Sequence, residues 1–199
     1  MRKLAVIDFL SLDGVMQAPG QPDEDIEGGF KHGGWAIPYH DETLAASVAE
    51  NMAATDAYLF GRKTYENFAA YWPTAPRDIP FTDHLNNTAK YVVSTTLKDP
   101  DWNNSTVIDG DVVEEVHKLK EQPGEGIAVL GSGALVQTLI EHDLVDEYFL
   151  TIYPLVLGGG KRLFRDDEQL RRLELVNSKT TGTGGVVLTY RPVREQGNP

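Results

Sequence analysis

The 199-residue sequence contains no cysteine. Disulfides, thiolate metal ligands and cysteine nucleophiles are therefore excluded, and no metal site is predicted. Long apolar runs are also missing, since no stretch approaches the roughly 18 apolar residues of a membrane span. The N-terminal "MRKLAVIDFLSLDG" starts like a signal peptide, but Asp8 interrupts its apolar run and no small-residue cleavage site follows. We predict a first strand there and a cytoplasmic location.

Positive charge is scarce as well, with 18 Lys and Arg against 30 Asp and Glu and a formal net charge of −12. Nucleic acids and anionic membranes need a basic surface, so neither is expected as a partner. A small anionic ligand needs only a local cluster of donors. The few cations that stand beside glycine-rich turns are therefore the informative ones.

The order of predicted elements indicates an α/β fold. The length suits one domain spanning 1–199, with a core at about 3–192 and a tail at 193–199. Strands are predicted at 4–10, 56–60, 90–96, 105–109, 126–131 and 146–156. Helices are predicted at 41–53, from 61 to Pro73, after Asp111 and at 133–141, with a short helical turn near 81–87. The segment "RRLELVNSKTTGTGGVVLTYRPV" reads as an antiparallel pair around a glycine-rich turn.

Strands that alternate with helices predict a three-layer αβα arrangement around a mostly parallel sheet, to which the C-terminal pair adds antiparallel strands. In such sheets ligands bind beyond the carboxyl ends of the strands. Three strand-to-helix junctions are therefore candidates for a site: 10–17, 60–65 and 130–134. The long loop at 14–40 is expected to be functional or disordered.

The third junction is the run "AVLGSGALVQTLI" at 128–140. A Rossmann fingerprint needs a glycine three positions after the second one, and Val136 stands there instead. A P-loop is excluded because no Gly-Lys-Ser/Thr follows. The Gly131-Ser132-Gly133 turn exposes backbone N–H groups at a helix start, which suits a pyrophosphate. A tight turn that only lets helix and strand approach closely stays open as the alternative.

The second junction, "LFGRKTYENF", places Arg62 and Lys63 in the first turn of a helix. Cations there oppose the helix dipole by a few tenths of a kcal/mol, which makes more sense if they face an anion. Thr64 adds a hydroxyl donor. A solvated basic pair on a surface helix is the alternative.

Two further polar clusters follow predicted strands. Ser94-Thr95-Thr96 forms the end of the strand predicted at 90–96, and Asp13-Gly14 follows the first strand. Both are also ordinary turn formers. Parallel strands would bring these clusters to the same end of the sheet as the other junctions.

Together the segments resemble the dihydrofolate-reductase-like superfamily. The closest branch is the C-terminal reductase domain of the bifunctional riboflavin-biosynthesis deaminase/reductase, here expected in a stand-alone form. The resemblance covers roughly 3–192 and rests on the order and spacing of several motifs. These are "SLDGVM", "LFGRKTYE", "YVVSTT", "VLGSGALVQTLI", "DEYFLTIYPLVLGGGKRLF" and the terminal β pair.

The resemblance implies that NADPH binds across the carboxyl ends of the strands. Arg62 is the expected contact of the 2′-phosphate, because a guanidinium grips a phosphate through two hydrogen bonds. The turn at 131–134 would hold the pyrophosphate and approach the nicotinamide, which 14–17 would border. The implied cofactor residues are Gly14, Gly61, Arg62, Lys63, Thr64, Ser94, Thr95, Gly131, Ser132, Gly133 and Ala134.

On the substrate side, the resemblance makes Asp13 the first choice for a contact. Matching Trp35 and Pro38 to the family places an acidic position at His40 or Asp41, and Thr151 would point into the pocket. Asp13 and Asp41 are the expected catalytic acids, which would orient substrate or relay a proton. Asp41 fits equally well as the N-cap of its helix.

The resemblance predicts an NADPH-dependent reductase that transfers a hydride to a C=N or C=O carbon of a pterin-like or riboflavin-pathway pyrimidine-like substrate. The acidic loop at 17–37 is unlike folate-reductase loops and speaks against folate. A homodimer is expected. Two other functions stay open: an NADPH-binding protein or sensor without turnover, and a structural domain whose glycine junctions are only turns.

Overall fold

A computed structural model describes residues 1–194, so the part of the predicted tail at 195–199 lies outside the described residues. Within this range eight strands form one sheet. They are β1 (Lys3–Ser11), β2 (Ala57–Gly61), β3 (Ala89–Val93), β4 (Ser105–Ile108), β5 (Gly126–Leu130), β6 (Glu147–Tyr153), β7 (Leu173–Thr180) and β8 (Val186–Pro192). The α-helices are α1 (Glu42–Ala53), α2 (Arg62–Tyr71), α3 (Pro80–Asn87), α4 (Val112–Glu121) and α5 (Gly133–Glu141).

The strands lie in the order β4-β3-β2-β5-β1-β6-β8-β7. Every pair from β4 to β6 is parallel, whereas β8 runs antiparallel to both β6 and β7. The prediction of a mostly parallel sheet with antiparallel C-terminal strands is confirmed.

Alternating side chains of the strands pack against helices on both faces. In β2, Leu59 joins a core cluster with residues of α4 and α5, whereas Phe60 joins a cluster with residues of α2 and α3. Phe9 of β1 and Tyr153 of β6 pack with α1 in a third cluster. Since neighbouring residues of a strand point to opposite faces, this arrangement is the predicted three-layer αβα sandwich.

Two predicted strands end three residues earlier than the sequence pattern indicated. The predicted strand at 90–96 ends at Val93, because Ser94 Oγ accepts the N–H groups of Thr96 and Leu97 and so closes a turn. The predicted strand at 146–156 ends at Tyr153, and Pro154, which has no N–H, follows it. The short helical turn predicted near 81–87 is a full α-helix, α3.

The loop predicted at 14–40 is ordered and contains two short 3₁₀ turns, Glu27–Gly29 and Ile37–Tyr39. Its packing depends on Trp35, which is buried and donates its indole N–H to the carbonyl of Gln17. Among residues 1–194, no helix is long and apolar enough to cross a membrane.

Candidate functional site

Parallel pairing brings the predicted junctions to one edge of the sheet. β3, β2, β5, β1 and β6 are consecutive neighbours, and all of them run in the same direction. The segments that follow Val93, Gly61, Leu130 and Ser11 therefore leave the sheet at its carboxyl edge. This is the edge at which α/β sheets bind their ligands.

The second and third junctions are in direct contact. The N–H of Gly61 donates a 2.9 Å hydrogen bond to Ser132 Oγ. Gly131 lies so close to α2 that a Cβ on it would come within 3.9 Å of Thr64 Oγ1. Gly131 and Ser132 both have left-handed backbone angles, with φ of 55° and 63°, a conformation that is costly for serine. Strained backbone of this kind is typical of ligand-binding and active sites.

The helices that start at this contact have no side-chain cap. Neither Gly61 before α2 nor Ser132 before α5 supplies a side-chain acceptor for the N–H groups of its helix. By contrast, Asp41 caps α1 and Asp111 caps α4. The first N–H groups of a helix need an outside partner. Those of α2 and α5 are available to an anion at this edge.

The cations at this edge are already paired with carboxylates. Arg62 binds Glu66 one turn along α2, with both side chains about half exposed. Lys63 binds Glu27 of the acidic loop, and Glu27 also binds Lys161. These contacts, with Lys161 first, hold the pKa of Glu27 at about 2. An incoming phosphate would therefore compete with Glu66 and Glu27 for the predicted cations.

The remaining predicted cofactor residues differ in availability. Ser94 is buried and its hydroxyl oxygen accepts backbone N–H groups of its own turn, whereas Thr95 is exposed. Gly14 has a φ of 80°, and its N–H bonds Ser11 within the turn. A Cβ on Gly133 would lie 3.4 Å from Met16 Sδ. The turn after β1 therefore borders the start of α5, and the contact of residues 14–17 with a nicotinamide stays a prediction.

Asp13 connects two loops of the carboxyl edge. Its carboxylate accepts the Ser11 hydroxyl and the N–H groups of Leu157 and Gly158. These hydrogen bonds, the Ser11 hydroxyl first, lower its pKa to about 2. Asp13 is thus ionised at neutral pH and holds no proton to donate. A substrate contact of Asp13 stays a prediction, whereas the geometry speaks against a proton-donating role.

Asp41 is the N-cap of α1. One carboxylate oxygen accepts the N–H of Leu44, and the other accepts the N–H and hydroxyl of Thr183 in the turn between β7 and β8. The Leu44 hydrogen bond is the main cause of a lowered pKa. The structure thus favours the capping alternative for Asp41 over its predicted catalytic role.

The predicted substrate residues His40 and Thr151 lie on the α1 face of the sheet. Thr151 is buried and pairs in register with Phe9 of β1. The rings of Phe9 and His40 are 6.4 Å apart, and Tyr153 packs edge-on against Phe9. The sequence pattern did not point to this aromatic cluster of Phe9, His40 and Tyr153.

Asp8 of β1 is an ionisable residue at this edge that the sequence pattern did not assign to a site. It is 6% exposed. Its Oδ1 accepts the N–H of Phe9, and its Oδ2 is buried without a partner in the described part of the chain. Burial raises the pKa of Asp8 to about 8. A lone acid in the apolar run "LAVIDFL" was the only signal for it.

Two cavities lie elsewhere. One of about 70 Å³ opens at the amino ends of β1, β5 and β6, and one of about 480 Å³ lies beside β7 and the end of β8. Neither is lined by a residue of the three junctions. They are therefore not part of the candidate site at the carboxyl edge.

Comparison with known proteins places this geometry in context. The chain is 38% identical to the uncharacterised protein YyaP of Bacillus subtilis over 140 residues, which is 68% of this chain and 73% of YyaP. It is 27% identical to YwjB of the same organism over 181 residues, or 91% of this chain and 93% of YwjB.

Solved structures share the fold. A putative riboflavin biosynthesis protein from Shewanella sp. PV-4 superposes with a TM-score of 0.65 at 20% identity, over 96% of this chain and 99% of that one. A pyrimidine reductase-like protein from Corynebacterium diphtheriae gives 0.67 at 15% identity, over 98% and 93%. A family model matches residues 2–187. The chain belongs to the RibD C-terminal domain family, and its fold is the reductase-like fold of that family.

Proposed function

We propose that the protein is an NADPH-dependent reductase that transfers a hydride to a small heterocycle, of which a riboflavin-pathway pyrimidine is the first choice and a pterin the second. The family supports a reductase of the riboflavin type. The observation that carries the proposal is the hydrogen bond from Gly61 to Ser132, which joins two uncapped helix N-termini at the carboxyl edge.

The residues at that edge fit a dinucleotide. The first N–H groups of α5 and the Gly131-Ser132 turn would bind the pyrophosphate, since such groups favour anions. Arg62 would contact the 2′-phosphate, and Lys63 and Thr64 would hold the same end. When bound, the cofactor supplies the hydride.

The substrate would lie on the α1 face, where the half-buried Phe9 offers a ring surface supported by the buried Tyr153, and Thr151 and the exposed His40 offer polar groups. Phe9 follows Asp8 in β1, whose carboxyl end lies at the same edge of the sheet as the Gly131-Ser132-Gly133 turn. A substrate stacked there would be near the cofactor, and alignment of the two is the main catalytic contribution that such a site makes.

Thermal unfolding with NADPH and with NADH tests the proposal. A ligand that binds only the folded state raises the melting temperature by mass action. We expect NADPH to raise it more than NADH, because only NADPH carries the 2′-phosphate. Arg62→Ala should remove most of this difference by lowering the NADPH effect. Arg77→Ala is a matched control, since Arg77 is exposed and precedes α3, away from the turn at 131–134.

Equal shifts with both cofactors, before and after the Arg62 change, would contradict the 2′-phosphate assignment. No shift with either cofactor would contradict nicotinamide binding and return the chain to a structural role. A shift without oxidation of NADPH by pyrimidine or pterin substrates would favour a sensor. The homodimer and the cytoplasmic location also stay predictions.

A further inference from the structure

β1 is paired unequally on its two sides. Its pairing with β6 continues to Ser11 opposite Tyr153, but its pairing with β5 ends at Ile7 opposite Leu130. β5 stops there because Gly131 turns the chain into a left-handed conformation. The last residues of β1 and the Gly131-Ser132-Gly133 turn therefore border a gap in the sheet.

Asp8 lies at the start of this gap. The N–H of Phe9, for which β5 offers no carbonyl beyond Leu130, is bound instead by Asp8 Oδ1 at 2.9 Å. Asp8 Oδ2 is buried and has no partner among residues 1–194. A buried polar atom without a partner costs free energy. A ligand group that hydrogen-bonds this atom would remove that cost.

The surroundings keep Asp8 apart from the substrate face. Phe9 packs with the aromatic rings of the α1 face, and strand alternation directs Asp8 to the other side, on which Val6 and Leu10 join the core cluster with α5. Its register partner on β6 is Leu150, which is also apolar. Glu24 of the acidic loop is the charged group whose field reaches Asp8. A ligand whose pyrophosphate is bound at the turn 131–133 would therefore reach Asp8 with the group that lies beyond its pyrophosphate.

We propose that Asp8 is a cofactor-positioning residue, whose neutral carboxylic acid hydrogen-bonds the carboxamide of a bound nicotinamide ring through Oδ2. This inference rests on the proposed function. The carboxamide is the ring's only hydrogen-bonding substituent, and it can both donate to and accept from a carboxylic acid. Burial and Glu24 both act to keep the proton on Asp8 near neutral pH.

The assignment has a consequence for the redox states of the cofactor. The oxidised nicotinamide ring carries a positive charge and the reduced ring is neutral. A neutral Asp8 is indifferent to this charge, whereas an ionised Asp8 attracts the oxidised ring. The preference between the two forms should therefore depend on pH, over the range in which Asp8 loses its proton.

The test is calorimetric titration of the full-length protein with NADP⁺ and with NADPH between pH 6.5 and 9.5. The ratio of the two dissociation constants cancels the titration of the 2′-phosphate, which both forms share. We expect the affinity for NADP⁺, relative to that for NADPH, to rise by about ten-fold as pH rises across this range. In Asp8→Asn it should stay flat. Asp101→Asn, a change of an exposed acid that precedes β4, should behave like the wild type.

A second variant makes the test independent of the folding of Asp8→Asn. Burial is the main cause of the raised pKa of Asp8, and the negative charge of Glu24 adds to it. Glu24→Gln should therefore move the change in the ratio to lower pH. A wild-type ratio that does not vary with pH, or that varies equally in Asp8→Asn, would overturn the role of Asp8 and leave the proposed function intact. Failure of the wild type to bind either form would overturn both.

Discussion

The side chain of Asp8 makes the free energy of unfolding depend on pH. Its carboxyl group keeps a proton up to a pKa of about 8, whereas in the unfolded chain it loses that proton near the ordinary value of 3.8. Between these values the folded state binds one proton more than the unfolded state. The free energy of unfolding therefore falls as pH rises, by at most about 1.4 kcal/mol per pH unit from this group.

Asp8→Asn should remove this dependence, because an amide does not titrate and can still accept the Phe9 N–H. We expect the variant to gain stability relative to the wild type as pH rises from 4 to 8, with no further gain above that. Urea unfolding at several pH values measures the difference, in which the titrations of all other groups cancel. A difference that is constant over this range would show that Asp8 is ionised in the fold.

At the scale of elements, Lys90 holds the end of α3 to β3. Its ammonium group is buried and donates to the carbonyls of Leu85 and Thr88, 2.6 and 2.7 Å away, and lies 4.5 Å from the centre of the Trp102 ring. Helices end with unsatisfied carbonyls, and here a strand residue satisfies them. Burial lowers the pKa of Lys90 to about 8.

Lys90→Met would keep the side-chain length and leave those carbonyls without a donor. We expect a loss of about 1–3 kcal/mol in the free energy of unfolding, measured by urea denaturation. Lys118→Met on α4 is the control, since Lys118 is exposed and makes only surface ion pairs, which contribute about 0–1 kcal/mol. Equal losses in the two variants would contradict a structural role for Lys90.

The elements themselves were predictable wherever a periodic pattern was long. The predicted helix at 133–141 agrees with α5, and the terminal antiparallel pair was found from its glycine-rich turn. Lys90 and Asp8 were not predictable in their roles. Each is an ionisable residue in a strand, and its buried surroundings come from segments whose positions only the folded sheet fixes.

The site was predictable in part for the same reason. Parallel topology was enough to bring Gly61, Thr64, Gly131 and Ser132 together. The pairing of Lys63 with Glu27 was not foreseeable, because it depends on the path of a loop without periodicity. Asp41 had two open interpretations, and only the hydrogen bond to Leu44 decided between them.

At the scale of the whole molecule, the acidic loop occupies cations that the proposed cofactor would need. Glu27 bridges Lys63 of α2 and Lys161 of the glycine-rich segment after β6, and Asp25 also binds Lys161. Lys63 can face an incoming phosphate fully only when Glu27 releases it. In a chain with a net charge of −12, this local competition adds to a general repulsion of anions.

Glu27→Gln should therefore tighten NADPH binding by several-fold, the range that the loss of one exposed ion pair would give. Titration calorimetry at fixed salt measures the effect. Glu147→Gln is the matched control: it changes the net charge equally and also breaks two ion pairs, with Lys3 and Arg191, at the start of β6. Equal affinities in the two variants would show that Glu27 does not compete with the cofactor.

The carboxylate of Asp13 has a consequence for engineering this fold. It bonds Leu157 and Gly158 across 144 and 145 residues of sequence, while its carbonyl accepts the guanidinium of Arg162. The "SLDG" and "LGGGKR" stretches are thus one hydrogen-bonded unit, although the chain separates them widely. A designer who moves the first motif into another scaffold without the second would leave the oxygens of Asp13 without these three donors, and should move both together.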